Sequence, residues 1–367
     1  MPSDFAVLGA GLMGRLVAGE LAQAGHRVHL YERGGPDGQG SAAHVAAAML
    51  APLAEAVASE PIVARLGLAA LERWPALLRA LPESVFFQRE GTLVLWHGPD
   101  RDQAAQFVAR LRALGPELLR QAPPEELAGP DIEALEPALG QRFARGIYLP
   151  GEGQLDNRAL LTALRHRLEA LGVRLHWGAE VTPERLAADW IVDCRGLGAK
   201  PEWRALRGVR GEVLRVQADE VQLRRPIRLL HPRYPIYIAP KPDGVYVVGA
   251  TQIETEDMSP VSVRSALELL SALYSVHPAF GEARILELSR QCRPALPHNL
   301  PEIRWDGARL IQINGLYRHG FLVAPALLEA ALALIQRLLE VGAAELCAWR
   351  DAQPWAALYR WNEPQPS

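Results

Sequence analysis

The chain has 367 residues, of which 49% are hydrophobic and 22% are charged, and its formal net charge is -3. These values are typical of an ordinary globular protein with two or three structural units. The small negative charge gives no electrostatic reason to expect nucleic acid or an anionic membrane as a partner.

The first predicted elements form a strand, a glycine loop and a helix. Residues 4–9 are an apolar run typical of a buried strand, and residues 12–24 have helical periodicity. Gly9, Gly11 and Gly14 lie between them, and a second strand ends at Glu32, 18 residues after Gly14. This spacing predicts a dinucleotide site in which the helix N-terminus faces the pyrophosphate and Glu32 accepts hydrogen bonds from ribose hydroxyls. Arg33 leaves NADP open as a ligand.

The next segment decides between FAD and NAD. Residues 38–52, GQGSAAHVAAAMLAP, are small and apolar, and no further regular strand–helix–strand unit follows directly. Small side chains let a backbone pack closely against a large flat ring, which favours FAD. A tightly packed helix start is the alternative interpretation.

The remaining elements alternate between two kinds of pattern. Helices are predicted at about 59–80, at 101–114 and after the N-cap Asp156 or Asn157, and strand-like residues occupy 84–98. Two strands precede the glycine turn at 196–198, and residues 207–290 are predicted to be mostly β. Residues 309–342 return to a strand, a glycine turn and a long helix, and the tail after Trp361 is expected to be loose.

Together these patterns predict an α/β plus α+β chain with two interleaved domains. A Rossmann-like FAD-binding domain comprises residues 1–83, 144–206 and 291–367. An antiparallel β-sheet substrate domain comprises residues 84–143 and 207–290.

Several of these motifs resemble the D-amino-acid oxidase superfamily, in particular its glycine oxidase branch, which is linked to thiazole biosynthesis. The matching segments are the glycine loop, Glu32-Arg33, Ser41–Pro52, REGTLVL (89–95), GEGQLDNRALLTAL (151–164), VDCRGLGA (192–199), YIAPKPDGVYVVGAT (237–251) and NGLYRHGFLVAP (314–325). The sequence departs from the family pattern at three places: Ala48 replaces the usual glycine, Gln291-Cys292 replace Gly-Leu, and His298-Asn299 stand where an Asp is common. These departures leave the exact substrate open.

The resemblance implies which residues contact FAD, held without a covalent bond. They are Gly9, Gly11, Leu12, Met13, Gly14, Glu32, Arg33, Ser41, Ala47, Ala48, Met49, Val181, Gly196, Gly315, Tyr317, Arg318, His319, Gly320, Phe321 and Leu322. No metal is expected. Cys292 and Cys347 are not expected to link the flavin, and His319 is interpreted as structural rather than as a general base.

The resemblance also implies three residues that act on the substrate. Arg318 and Arg293 correspond to arginines near the substrate carboxylate, which a planar guanidinium binds with two hydrogen bonds. Tyr237 corresponds to a tyrosine that reaches the same carboxylate, although the neighbouring Tyr234 could take its place. For Arg318 the alternative is an ion pair with an acidic residue at the domain interface. Lys241 is expected to be solvated.

The implied activity is oxidation of glycine, sarcosine or another small amino acid to the imino acid, with molecular oxygen reduced to hydrogen peroxide. One alternative is a D-amino-acid dehydrogenase with a different electron acceptor. Another is the flavin domain of a tRNA-modifying enzyme that oxidises an N-substituted glycine. Three widely spaced cysteines, and the lack of a signal peptide or membrane span, favour a cytoplasmic protein. A homo-oligomer is left open.

Overall fold

The protein is described by a computed structural model covering residues 2–341 and 346–361. Within these ranges the strands are β1 (Asp4–Leu8), β2 (Arg27–Glu32), β3 (Met49–Leu50), β4 (Phe87–Gln88), β5 (Thr92–Trp96), β6 (Glu125–Ala128), β7 (Arg145–Leu149), β8 (Gly153–Leu155), β9 (Arg174–Trp177), β10 (Trp190–Asp193), β11 (Arg207–Gln217), β12 (Ile227–Leu230), β13 (Ile236–Pro240), β14 (Val245–Gly249), β15 (Arg284–Ala295), β16 (Glu302–Trp305), β17 (Leu310–Asn314) and β18 (Tyr359–Trp361).

The α-helices within the same ranges are α1 (Leu12–Gln23), α2 (Ala42–Val45), α3 (Pro52–Ala56), α4 (Pro61–Arg79), α5 (Arg101–Ala113), α6 (Pro116–Gln121), α7 (Gly129–Leu135), α8 (Asn157–Ala170), α9 (Val263–Val276), α10 (Gly320–Val341) and α11 (Leu346–Asp351).

A seven-stranded, mostly parallel sheet forms the first layer of the fold. Its order is β18-β16-β17-β10-β1-β2-β9, with β1 parallel to both β2 and β10. Strand β1 lies inside the sheet and is apolar and buried from Phe5 to Leu8, as expected for a parallel strand covered on both faces. Helices α1 and α10 pack into the same hydrophobic core, which includes Val7, Leu16 and Leu327. This sheet confirms the predicted Rossmann-like architecture.

An eight-stranded sheet forms the second layer. Its order is β15-β11-β14-β13-β12-β5-β7-β6, and every pairing except that of β12 with β5 is antiparallel. Helix α9 packs against it through Leu269, Leu273 and Val276. The sequence analysis predicted residues 207–290 to be mostly β and named no helix there, although the apolar residues of 263–276 recur with helical spacing.

Two strands lie differently from the predicted domain boundaries. Strand β7 belongs to the second sheet, although residues from 144 onward were assigned to the FAD-binding domain. Strand β15 pairs with β11 along its whole length and therefore crosses the boundary drawn at residue 291. The other strands of the two large sheets fall within the segments predicted for them, and the division into two domains stays a prediction.

Helix α10 is long and apolar enough by composition to cross a membrane, but 67% of that stretch is buried inside the protein. It packs against α4, where the indole Nε1 of Trp74 donates a hydrogen bond of 3.1 Å to the Phe321 carbonyl. Its apolar composition is therefore accounted for by its position in the core. The tail after Trp361 lies outside the described residues.

Candidate active site

The glycine loop joins β1 to α1 at one end of a long cavity of about 1100 Å³. Gly9 has φ +88, and a Cβ added at Gly14 would lie 1.8 Å from the Gly9 carbonyl oxygen. The first position therefore needs a conformation that glycine adopts at little cost, and the second needs the absence of a side chain. Gly11 and Leu12 line the cavity where α1 begins. This arrangement leaves backbone N–H groups at the helix N-terminus to face an anionic ligand.

Glu32 fixes the shape of this loop. Its carboxylate accepts hydrogen bonds from the Ala10 amide at 2.7 Å and from the Gly34 amide at 2.8 Å. It also lines the cavity beside Arg33. Glu32, which is predicted to bind a ribose, is therefore held in position by hydrogen bonds from the backbone around the glycine loop.

The small-residue segment forms the middle wall of the cavity. Ser41 caps α2 by accepting a hydrogen bond from the His44 amide, and Ala47, Ala48 and Met49 line the cavity. Ala48 is buried and has φ 52, a left-handed conformation that favours glycine. The departure from the family's glycine therefore places a methyl group on the cavity wall and strains the backbone.

Two glycines of the second sheet make room for polar side chains at the far end of the cavity. A Cβ at Gly249 would lie 2.6 Å from the Tyr237 hydroxyl, and one at Gly211 would lie 2.1 Å from Nη2 of Arg293. The Arg293 Nη1 donates a hydrogen bond of 3.2 Å to the Thr251 carbonyl. Burial lowers the pKa of Arg293 and raises that of the Tyr237 hydroxyl. Both side chains line the cavity.

The turn between β17 and α10 carries Arg318 to the same end. The Tyr317 amide donates a hydrogen bond of 2.9 Å to the Pro294 carbonyl, which ties this turn to β15 beside Arg293. Tyr317, Arg318 and the first residues of α10, Gly320 to Leu322, line the cavity. The two predicted arginines and Tyr237 are therefore brought together.

Sequence reasoning missed an acid that pairs with Arg318. Glu55, in α3, accepts a hydrogen bond from Arg318 Nε at 2.5 Å through one carboxylate oxygen and pairs with Arg228 of β12 through the other. Burial opposes the charge of Glu55, but Arg318 and Arg228 hold its pKa well below the ordinary value. We call these three residues the Glu55 network. The alternative for Arg318 is an ion pair with an acidic residue at the domain interface. The structure shows Arg318 both paired with the acid Glu55 and lining the cavity.

His319 is buried behind this network. Its Nδ1 lies 3.3 Å from a Glu55 oxygen, and its Nε2 has no hydrogen-bond partner among the described residues. Burial lowers its pKa despite the nearby carboxylate. A mostly neutral, enclosed imidazole fits the structural role predicted for it.

Four predicted cofactor-binding residues do not line the cavity. Gly14 packs against Gly9 and Gly315 packs against Leu296, both outside the cavity lining. His319 is enclosed, and Val181 packs beside the first sheet near Ile191.

Lys241 is buried rather than solvated, which corrects the sequence expectation. Its Nζ contacts Gln154 Oε1 at 3.1 Å and the Leu155 carbonyl at 2.8 Å, and it does not line the cavity. A buried site with two hydrogen-bond acceptors accounts for this lysine.

The residues of the cavity fit FAD. One continuous space runs from the glycine loop and Glu32, along the small-residue segment, to the arginines and the start of α10. A Rossmann-like sheet, a pyrophosphate loop and a wall of small residues define a flavin-dependent oxidoreductase.

Comparison with known proteins agrees. Residues 4–332 match the model of the FAD dependent oxidoreductase (DAO) family, and the chain belongs to this family. Its cofactor is therefore FAD.

Individual relatives span nearly the whole chain. It is 46% identical to a putative thiamine biosynthesis oxidoreductase ThiO of Rhizobium etli, over 88% of this chain and 93% of that protein. It is 29% identical to the bifunctional protein ThiO/ThiG of a Synechocystis species, over 92% of this chain and 52% of that protein. The crystal structure of glycine oxidase from Geobacillus kaustophilus is similar with a TM-score of 0.78 and 26% identity, over 92% of this chain and 95% of that one.

Proposed function

We propose that this amino-acid oxidase acts on glycine or another small primary or secondary amino acid, yields the imino acid and passes the electrons to molecular oxygen, which becomes hydrogen peroxide. The observation that carries the proposal is the convergence of Arg293, Tyr237 and Arg318 at the end of the cavity where the small-residue segment and α10 meet. The similarity to proteins named glycine oxidase supports this substrate class.

The substrate carboxylate would bind to Arg293 and the Tyr237 hydroxyl. The guanidinium of Arg293 lies against Gly211 and donates a hydrogen bond to the Thr251 carbonyl, so its orientation is set before a ligand binds. Bound FAD supplies the acceptor for the two electrons of the amine carbon. The N-terminus of α10, with Gly320 and Phe321 on the cavity wall, favours negative charge at that end of the site.

The imino acid would then hydrolyse to a keto acid or pass to another reaction. The likeness to the Rhizobium protein named for thiamine biosynthesis supports the second fate. In that case the imino acid itself would be the useful product.

The decisive experiment is anaerobic addition of glycine or sarcosine to the purified yellow protein, followed by air. We expect the visible flavin band to bleach, then to recover with one hydrogen peroxide per amine oxidised. Bleaching without recovery in air would favour the dehydrogenase alternative, and a flavin that no small amine bleaches would refute the proposal.

Arg293 offers a variant test of carboxylate binding. A hydrogen bond to a charged group is worth about 1.5–3 kcal/mol, so Arg293→Gln should lower kcat/KM for glycine about 10- to 150-fold. Arg293→Lys should restore part of this loss because it keeps the charge. Arg284→Gln, an exposed arginine of the same strand, is the matched control and should behave like the wild type.

A further inference from the structure

Arg228 lies on the same face of the second sheet as the predicted carboxylate site. In the pairing of β12 with β13, Arg228 is directly opposite Tyr237, and both side chains line the cavity. Side chains of directly opposed residues in antiparallel strands have Cβ atoms about 4.5–5.5 Å apart. A ligand whose first anionic group reaches Tyr237 therefore has a second arginine within a few bond lengths.

The charges at this end of the cavity exceed what one carboxylate neutralises. Arg228, Arg293 and Arg318 line it, and Glu55 contributes one negative charge that is shared by two of them. Behind Arg228, burial raises the pKa of Glu152 to about 7, so this acid is only partly ionised near neutral pH. While Glu152 is protonated, a monocarboxylate would leave one positive charge of the three arginines uncompensated.

Arg228 also has hydrogen-bonding capacity to spare. Glu55 contacts its Nη2, and its Nη1 makes no hydrogen bond among the described residues. A ligand carboxylate that reaches this part of the guanidinium can accept a charge-assisted hydrogen bond without displacing Glu55.

The cavity extends beyond Arg228, so a larger ligand has room. Its wall continues through Leu230 and Tyr234 on one side and through Gln106 and the exposed Arg110 of α5 on the other. Arg233 lies at the same mouth and is exposed. This extension is basic, which would attract an anionic substrate.

We propose that the site accepts amino acids that carry a second carboxylate, with Arg293 and Tyr237 on the α-carboxylate and Arg228 on the second. N-carboxymethyl amino acids and acidic D-amino acids belong to this class. The inference rests on the proposed function, because the reaction is the same two-electron oxidation of the C–N bond. The second carboxylate takes no part in the chemistry and determines specificity.

The first test is binding and needs no turnover. The holoenzyme is titrated with succinate and with butyrate, its monocarboxylate counterpart of equal length, and the change in the flavin spectrum gives each Kd. We expect succinate to bind about tenfold or more tightly than butyrate. Equal affinity would overturn the proposal even if glycine is oxidised.

Variants assign the effect to Arg228. Arg228→Met should abolish the preference for succinate, and Arg284→Met, at an exposed position of β15 that does not line the cavity, should keep it. If Arg228→Met does not fold, the wild-type ratio of the two Kd values still decides. A preference for succinate that Arg228→Met retains would overturn the assignment.

Turnover separates this inference from the function on which it rests. Iminodiacetate or D-aspartate should reduce the flavin with a kcat/KM at least equal to that of glycine. Reduction by glycine but not by either aminodicarboxylate would refute the second-carboxylate site and leave the oxidase intact. A flavin that no amine reduces would refute the oxidase function, and the substrate class with it.

Discussion

Replacement of Glu152 by glutamine should stabilise the protein in a pH-dependent manner. Glu152 is fully buried, and its Oε1 accepts a hydrogen bond of 2.8 Å from the Ala54 amide. Burial raises its pKa from an ordinary value near 4.5 to about 7, although Arg228 and the Ala54 amide favour the charged form. Glutamine has the same shape and carries no charge.

Proton linkage determines whether Glu152 stabilises or destabilises the folded protein as pH rises. The folded state holds the Glu152 proton more tightly than the unfolded state, so folding stability is lost as pH rises from about 4.5 to about 7. Each tenfold change in proton affinity is worth about 1.4 kcal/mol, which makes the total loss about 3 kcal/mol. Glu152→Gln lacks this loss, so it should match the wild type near pH 4.5 and exceed it by about 3 kcal/mol at pH 8.

The assay is urea unfolding of the holoenzyme with excess FAD at pH 5 and pH 8, with tryptophan fluorescence as the measure of unfolding. The measured quantity is the difference in unfolding free energy between variant and wild type at each pH. Glu125→Gln, an exposed acid on β6, is the control and should show no such change. A difference for Glu152→Gln that is the same at both pH values would refute the reasoning.

Three further substitutions test other parts of the structure. Gly14→Ala should abolish FAD retention, because the new Cβ would lie 1.8 Å from a backbone oxygen, whereas Gly98→Ala, in open space, should keep it; the ratio of flavin to protein absorbance measures both. Ala48→Gly should raise the free energy of unfolding by up to about 1 kcal/mol by removing left-handed strain, and a lower melting temperature would contradict this. Burial lowers the pKa of Lys241 to about 7, so the wild type should gain about 2 kcal/mol of stability between pH 7 and 9, and Lys241→Met should lose that gain in the urea assay.

The parts of the site that follow local rules could be predicted from the sequence. The turn at Gly9, the close contact at Gly14 and the acid at Glu32 occur at fixed spacings within one strand–helix–strand unit, so a linear pattern contains them. Arg318 was identified because it stands in the NGLYRHGFLVAP motif, and Arg293 because it corresponds to a family arginine near the substrate carboxylate. The structure places all of these around one cavity, apart from Gly14, which packs against Gly9 on the side away from the cavity lining.

The parts that depend on distant contacts could not be predicted. Glu55 and Arg228 are 173 residues apart, and no motif in the sequence links the two positions. A charged residue outside any motif is usually solvated, and only the packing of α3 against the second sheet shows that these two meet. Helix α9 was missed for a different reason: it lies between β14 and β15, and the strand pattern of its neighbours obscures its own helical periodicity.

The Glu55 network also explains why the two arginines cannot have equal roles. Glu55 comes from the N-terminal segment, Arg228 from the second sheet and Arg318 from the turn before α10, so a single ionised carboxylate joins three separate parts of the chain. Moving a buried carboxylate away from two arginines costs much free energy, because the carboxylate would then be a buried charge without a partner. A substrate carboxylate that took the Nε edge of Arg318 would have to displace Glu55. Arg293 is hydrogen-bonded to a neutral carbonyl, so an incoming carboxylate meets its charge without competing with an internal anion. We therefore expect Arg293 to anchor the substrate, and Arg318 to contribute its charge and to hold the turn that begins α10.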